Sequence, residues 1–214
     1  CLIIIIGVLV ILGIVAGCMS GLSRGQSVDV DGYVKKTNIP KTIYQCYHDK
    51  SKIPPKVYNN ISTFAPNYKH KIYDNDECRY FLRESYGEKY VDIFNYLLKD
   101  GAPAHAADFW RYCILYKYGG VYLDIKIELI ESMDETVNRL GNCNFSTVLS
   151  IINKTCMQGV IVSTPNHPIL KMCIDKMKKT YKKSNTNYHI YTGQMYENIS
   201  RYTRIKTLKD GSNK

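Results

Sequence analysis

Apolar and polar residues alternate along the chain in a way that predicts strands and helices in succession. Residues 39–47 and 68–74 are short β-prone runs, which predicts two strands. Residues 56–63 and 76–99 place apolar side chains at helical spacing, which predicts helical segments after each strand. Strands that alternate with helices indicate an α/β fold with a mostly parallel sheet.

The segment 101–129 carries the most specific pattern. Pro103 near its start and the pair Gly119–Gly120 bracket a predicted helix, because proline favours the first helical turn and glycine follows the last. Asp108 and Arg111 are three residues apart, so they share one flank of this helix. They form either a surface ion pair worth about a few tenths of a kcal/mol or part of a binding site.

A strand with strict alternation is predicted after the two glycines. Its apolar face would carry Val121, Leu123, Ile125, Ile127 and Leu129, and its polar face Tyr122, Asp124, Lys126 and Glu128. The polar face is either solvated or a ligand site. Ligands of open α/β sheets bind beyond the carboxyl ends of strands, where a carboxylate can meet a metal ion or a ribose hydroxyl.

The first 19 residues contain no charge and come close to the length of about 20 residues that crosses a bilayer as a helix. We therefore expect a transmembrane anchor at 1–19, a Gly- and Ser-rich stem at 20–38 and a single domain at 39–214. A cleaved signal peptide is the alternative, since Ala16-Gly17-Cys18 resembles a cleavage site.

Composition and charge narrow the function classes. The formal net charge is +10, but apart from residues 176–183 the lysines are spread over the chain, so we expect no nucleic-acid partner. A lysine-rich stretch at 176–183 is either a solvated helix face or a surface attracted to anionic lipid headgroups. No Cys-x-x-Cys spacing occurs, which excludes the usual zinc sites. Cys143 and Cys156 are the first candidates for a disulfide.

Four blocks together resemble a known enzyme family. They are Ile39-Pro40-Lys41-Thr42-Ile43-Tyr44-Gln45, Ala107-Asp108-Phe109-Trp110-Arg111-Tyr112, Leu115-Tyr116-Lys117-Tyr118-Gly119-Gly120-Val121-Tyr122-Leu123-Asp124 and Ser163-Thr164-Pro165-Asn166-His167-Pro168-Ile169-Leu170. Their order is similar to that of glycosyltransferase family 32, whose sugar-binding region contains a DXD motif. That family includes α-mannosyl and α-galactosyl transferases of the secretory pathway.

The resemblance implies a GT-A fold, with a single Rossmann-like sheet and helices on both faces. It implies a retaining hexosyltransferase that uses a nucleoside diphosphate sugar, usually with Mn²⁺, and a glycan, glycoprotein or glycolipid acceptor. With the anchor, it implies a type II, single-pass membrane protein with its catalytic domain in a Golgi-like lumen. The alternative is an inactive relative that binds a nucleotide or glycan without turnover.

The resemblance also assigns roles to residues. Asp108 and Arg111 would contact hydroxyls of the donor sugar, and Asp124 would serve the ribose, the metal ion and the diphosphate. Tyr122 would line the donor pocket and Tyr47 would stack on the base, with Gln45 as a weaker candidate for the same region.

Two features depart from the family pattern. Lys126 replaces the second Asp of the DXD motif, and the chain ends before the C-terminal His and Trp segment that such enzymes usually carry, which points to a truncated C-terminal part. Either the Lys126 ammonium group lies beside the diphosphate and weakens the need for Mn²⁺, or Lys126 points to solvent. If residues 124–128 are extended, Asp124 and Glu128 lie about 13 Å apart and cannot share an ion; a turn after Asp124 would change this.

Overall fold

The computed structural model describes residues 38–99, 103–140, 143–150, 154–183 and 190–209. Five strands form one sheet in the order β2-β1-β3-β5-β4. Their bounds are β1 (Thr42–Cys46), β2 (Lys69–Tyr73), β3 (Gly120–Leu123), β4 (Phe145–Leu149) and β5 (Cys156–Ser163). The α/β class and the strands near 39–47 and 68–74 are thus confirmed.

The sheet is mixed, so the prediction of a mostly parallel sheet is wrong. β1 pairs in parallel with β2 and β3, but β5 pairs antiparallel with both β3 and β4. β4 and β5 were not predicted. They are close in sequence, and strands joined by a short connection pair antiparallel, whereas a parallel pair needs a long crossover.

Helices cover both faces of the sheet. The described residues contain α1 (Pro55–Phe64), α2 (Asn75–Tyr86), α3 (Glu88–Lys99), α4 (Pro103–Tyr118), α5 (Met133–Arg139), α6 (Pro168–Thr180) and α7 (Ile190–Lys209), with 3₁₀ turns at Lys50–Lys52 and Tyr181–Lys183. One face packs Tyr44 and Tyr122 of the sheet against α2, α3, α4, α6 and α7. The other packs Ile43 and Val121 against α1 and the region of α5. The predicted helix over 76–99 is two helices, because Gly87 ends α2 with a φ of 83° that favours glycine.

The central helix α4 follows the prediction at both ends and is buried on nearly every side. It leads into Gly119 and Gly120, both of which have positive φ. A Cβ at Gly120 would lie 2.6 Å from the carbonyl oxygen of Thr42. Glycine therefore lets β3 begin directly beside β1, which brings the carboxyl ends of these two strands together.

β3 ends at Leu123, so the predicted strand over 121–129 is wrong beyond that residue. The amide of Asp124 makes the next bond to the sheet, to the carbonyl of Gly159 at 2.8 Å. The amide of Ile127 then donates to the carbonyl of Asp124 at 2.9 Å and closes a turn. Lys126 therefore lies in this turn rather than on a strand face.

Two further predictions concern a disulfide and the membrane anchor. Cys156 is a free thiol, so its proposed pairing with Cys143 is wrong. The anchor at 1–19 and nearly all of the stem at 20–38 lie outside the described residues. Within the described part of the chain, no helix is both long and apolar enough to span a bilayer.

Candidate active site

The candidate site lies at the carboxyl ends of β1 and β3. The chain leaves β1 toward β2 on one side and returns as β3 on the other, so the order of the strands reverses at β1. Such a reversal opens a crevice at the carboxyl edge of an α/β sheet, where ligands bind. Gln45 and Tyr47 at the end of β1, and Tyr122 and Asp124 at the end of β3, all lie at this edge.

Arg111 is the centre of the site and is 4% exposed. Its Nη1 lies 3.3 Å from Asp108 Oδ1, and its Nη2 lies 3.2 Å from Asp124 Oδ1. Nη1 also donates to the carbonyl oxygen of Gln158 at 2.5 Å, and the guanidinium lies 4.3 Å from the ring centroid of Tyr122. The structure thus brings the three predicted catalytic side chains into one network.

The electrostatics keep Arg111 charged. Burial alone would lower the pKa of Arg111, but the neighbouring Tyr122, Asp124 and Asp108 raise it above its usual value. A buried cation with two carboxylate partners satisfies the requirement that buried charges be paired. The sequence-level alternative of a surface ion pair between Asp108 and Arg111 is therefore wrong.

Asp124 combines fixed contacts with exposure. Its Oδ1 accepts a 2.7 Å hydrogen bond from the Tyr122 hydroxyl, while its side chain is 44% exposed. Burial raises the pKa of Tyr122, so the phenol stays protonated and can donate. The same hydroxyl lies 3.5 Å from Cys46 Sγ, whose pKa burial raises to about 11. Asp124 is the accessible carboxylate of the network.

The two residues predicted at the end of β1 differ in accessibility. Gln45 is fully buried; its Nε2 donates to the carbonyl of Asp124 at 3.4 Å and its Oε1 lies 2.7 Å from His70 Nε2. Gln45 therefore helps to hold the backbone of Asp124 in place. Tyr47 is half-buried beside His48, with ring centroids 4.4 Å apart, so part of an aromatic surface remains accessible at the edge.

Residues after Asp124 supply no second carboxylate. Lys126 is exposed and, among the described residues, forms no ion pair. Glu128 is held by Lys56 Nζ at 2.7 Å, so the turn does not bring it back as a ligand. The described residues contain no group of three metal-ligating side chains. A divalent ion would find one exposed carboxylate, Asp124, and would need phosphate and water oxygens for the rest of its shell.

Four residues of the network were not predicted from the sequence. His105 Nδ1 lies 3.4 Å from Asp108 Oδ2, the Gln158 carbonyl holds Arg111, and Tyr112 donates to the Gln158 side chain. Gly159 lies close to Asp124, and a Cβ at this position would be 3.0 Å from Asp124 Oδ2. His105 could have been found from its i,i+3 spacing to Asp108. Gln158 and Gly159 lie on β5, and nothing in their local sequence marks them.

The arrangement suits recognition of a polar ligand that carries hydroxyl groups. Fixed hydrogen-bond donors and acceptors in a partly desolvated crevice can hold hydroxyl groups in defined positions. Arg111 is already paired with Asp108 and Asp124, so the exposed ammonium group of Lys126 is left to complement a phosphate group. No helix-borne phosphate loop or nucleophile–base pair is required for such a site.

The chain is similar in fold and in sequence to known glycosyltransferases. The fold is similar to that of the PaToxG glycosyltransferase, with a TM-score of 0.58 and 16% identity over 82% of this chain and 76% of that chain. An uncharacterized glycosyltransferase, L373, of Acanthamoeba polyphaga mimivirus is 28% identical over 80% of this chain and 69% of its own length. The mannosyl phosphorylinositol ceramide synthase SUR1 of Saccharomyces cerevisiae is 27% identical over 87% of this chain, which spans 48% of that protein.

A further relative is named as a mannosyltransferase. The initiation-specific alpha-1,6-mannosyltransferase of Candida albicans is 25% identical over 64% of this chain and 35% of its own length. The model of the glycosyltransferase sugar-binding region containing a DXD motif matches residues 26–145, which include Asp108, Arg111 and Asp124. The chain therefore belongs to this family of glycosyltransferases.

Proposed function

We propose that this protein transfers a hexose from a nucleoside diphosphate sugar to a glycan or glycolipid acceptor with retention of configuration, within a GT-A type domain. The observation that carries the proposal is the buried network of Asp108, Arg111 and Asp124 at the carboxyl edge of β1 and β3. Retention is proposed from the family resemblance.

The residues have separable tasks in this reaction. Breaking a glycosyl phosphate bond develops positive charge on the sugar and negative charge on the diphosphate. Asp108 would accept hydrogen bonds from donor sugar hydroxyls, and Arg111 would hold Asp108 in place. Asp124 would bind the ribose, Tyr122 would line the pocket beside it, and Tyr47 would stack on the base. The buried side chains beneath the site would help to keep water away from the bond that breaks.

The names of the relatives support a donor and an acceptor class. SUR1 is by name a synthase of mannosyl phosphorylinositol ceramide. A further relative, inositol phosphoceramide mannosyltransferase 1 of Schizosaccharomyces pombe, is 25% identical over 70% of this chain, which spans 46% of that protein. We therefore propose mannose as the first hexose to test and a glycolipid headgroup as the first acceptor.

A divalent ion, Mn²⁺ by family resemblance, fits the site only through Asp124. When bound, it would offset negative charge on the leaving diphosphate. Lys126, exposed in the turn two residues after Asp124, would supply part of the same charge through its ammonium group. We propose that the metal requirement is weakened for this reason.

We also propose that the protein is attached to a membrane by residues 1–19 and acts in a secretory compartment. This rests on the uncharged apolar run in the sequence. The apolar run would hold the domain at the surface where a glycolipid headgroup is displayed.

A ligand panel tests the proposal. UDP- and GDP-sugars, with and without Mn²⁺, should raise the melting temperature for at least one donor by mass action, and that donor should slowly release its diphosphate. Asp124→Asn should lower turnover about a hundredfold. An amide oxygen can still accept from Arg111 and Tyr122, and Asp108 still pairs with the buried guanidinium, so the loss of stability should be smaller than for Arg111→Ala. Asp92→Asn, an exposed carboxylate on α3, is the matched control and should change neither quantity.

The outcomes separate the candidate functions. Stabilisation by a donor without any diphosphate release would indicate the inactive binding relative. If no donor produces stabilisation or diphosphate release, the proposal is contradicted. Arg111→Ala is a poorer test, because removing one partner of a buried ion pair costs about 3–5 kcal/mol of stability by itself.

A further inference from the structure

The carboxylate of Asp108 is held by two side chains of its own helix. Arg111 Nη1 lies 3.3 Å from Oδ1, and His105 Nδ1 lies 3.4 Å from Oδ2. Asp108 is 7% exposed and His105 is 4% exposed. Each carboxylate oxygen therefore has one protein donor in a buried setting.

The two donors are held in very different ways. Arg111 is fixed from several directions, by Asp124, by the carbonyls of Ala107 and Gln158, and by the Tyr122 ring. Within the described residues, the hydrogen bonds and ion pairs of the Asp108 side chain are those with Arg111 and His105. Without His105, both oxygens of Asp108 could turn toward the Arg111 guanidinium, which favours bidentate pairing with a carboxylate. The orientation of Asp108 thus depends on His105.

His105 is itself fixed in the fold. It lies in the first turn of α4, and its ring meets the ring of Tyr191 from α7 edge to face, at 4.8 Å and 87°. Tyr191 is buried, so the imidazole plane is set by packing against a second helix. Because Arg111 also donates to Asp108, the carboxylate acts as an acceptor on both sides, which assigns the imidazole hydrogen to Nδ1.

We propose that His105 is a positioning residue of the donor site, which orients the Asp108 carboxylate toward a hydroxyl of the donor sugar. The proposal rests on the proposed function for the role of Asp108. This role requires an N–H group at the Nδ1 position of His105, whereas packing against Tyr191 alone would not.

Three substitutions separate positioning from packing. The amide nitrogen of Asn can take the place of Nδ1, whereas that of Gln takes the place of Nε2. His105→Asn should keep kcat and the donor KM close to those of the unmodified protein. His105→Gln and His105→Ala should lower kcat/KM about tenfold to a hundredfold, as misplacement of a reacting group does. If all three variants lose activity in proportion to their loss of stability, the positioning role is overturned.

A second histidine provides the matched control. His167 is also buried and stacks on Phe145 with ring centroids 5.0 Å apart. The preceding residue, Asn166, donates its amide to the carbonyl of Tyr116 near the opposite end of α4. His167→Gln should lower the melting temperature while leaving kcat and KM per folded molecule unchanged. An effect on KM equal to that of His105→Gln would show that any buried histidine matters equally, and would overturn the proposal.

A readout without catalysis keeps this proposal distinct from the proposed function. The ¹⁵N shifts of the His105 imidazole should show hydrogen at Nδ1 in the unmodified full chain, and Asp108→Asn should remove that preference. A hydrogen fixed at Nε2 instead would overturn the contact, whatever the activity. If no donor is turned over but the Nδ1 hydrogen is present, the proposed function fails while the His105–Asp108 contact stands.

Discussion

At the scale of single residues, the site depends on one cation shared by two carboxylates. Arg111 lies within 3.3 Å of Asp108 Oδ1 and 3.2 Å of Asp124 Oδ1, so it couples a residue on a helix to one at the end of a strand. A shift of either carboxylate is therefore transmitted to the other. Small steric changes around Asp124 should therefore lower kcat/KM more than they lower the melting temperature.

Gly159 offers a test of this coupling. A Cβ at Gly159 would lie 3.0 Å from Asp124 Oδ2, so Gly159→Ala should push the carboxylate by a few tenths of an ångström. We expect kcat/KM for the donor to fall about tenfold with a small change in melting temperature, as measured by steady-state kinetics and thermal unfolding.

Gly193 on α7 is the matched control. A Cβ there meets no atom closer than 3.8 Å, and alanine is favoured over glycine in a helix by about 0.5–1 kcal/mol. Gly193→Ala should raise stability slightly and leave kinetics unchanged. Unchanged kinetics in Gly159→Ala would show that Asp124 tolerates displacement.

The residues of the network differ in how far the sequence predicts them. The i,i+3 spacing on a helix bracketed by Pro103 and Gly119 is a local signal, and it correctly places Asp108 and Arg111 on one flank. Burial of the pair is not local, because it depends on helices that pack around α4. The contribution of Gln158 depends on the pairing of β5 with β3, which a single sequence does not reveal.

At the scale of elements, the end of β3 shows why alternation alone can mislead. Residues 121–129 alternate as a strand would, yet the ladder stops at Leu123. Further along, the segment is bound by a side chain of α1 instead of a strand. Asn60 Nδ2 donates to the carbonyl of Leu129, and Asn60 Oδ1 accepts from the amide of Leu129, both at 2.8 Å. Ile127 stays buried against the sheet. An irregular segment that packs some of its apolar side chains into the core can therefore show the alternation of apolar and polar residues that is typical of a strand.

The turn after β3 leads to a prediction about metal dependence. Lys126 is exposed and unpaired within the described residues, one turn from Asp124. If its ammonium group offsets the charge of the diphosphate, the unmodified protein should retain activity in EDTA and bind Mn²⁺ weakly by calorimetry. Lys126→Asp should bind Mn²⁺ more tightly and lose its activity in EDTA, because a second carboxylate completes an oxygen site.

Lys89 provides the control for this change of charge. It is exposed in the first turn of α3, where a carboxylate is tolerated well. Lys89→Asp should alter neither Mn²⁺ binding nor the response to EDTA. Complete loss of activity of the unmodified protein in EDTA, together with tight Mn²⁺ binding, would exclude the compensating role of Lys126.

At the scale of the whole molecule, the fold distinguishes the Asn-x-Ser/Thr glycosylation sequons at Asn60, Asn144 and Asn198; a fourth, at Asn153, lies outside the described residues. Asn60 is bonded to Leu129 through both side-chain atoms, and Asn198 is 5% exposed with its amide on Cys173 Sγ at 3.2 Å. Asn144 is exposed. A glycan at Asn60 or Asn198 is incompatible with these contacts, whereas Asn144 can carry one.

This gives a test of the proposed compartment. Protein made in a secretory pathway should carry a glycan at Asn144 and none at Asn60 or Asn198, as peptide mass spectrometry after glycosidase treatment would show. Asn144→Gln should remove the corresponding mass without loss of folding. Absence of any glycan at Asn144 would argue against a lumenal domain.

The relation between the domain and the membrane is the remaining question at this scale. The uncharged run at 1–19 is followed by a polar stem and a domain whose described part has two packed cores on either side of one sheet. A domain with its own core folds without help from a bilayer, so the membrane should be needed only for attachment. The full chain should therefore remain with membranes after an alkaline carbonate wash, while a chain that begins near residue 37 should be soluble and bind the same donor. Recovery of the full chain in the wash supernatant would contradict a spanning helix, and aggregation of the shorter chain would show that the first residues also contribute to the fold.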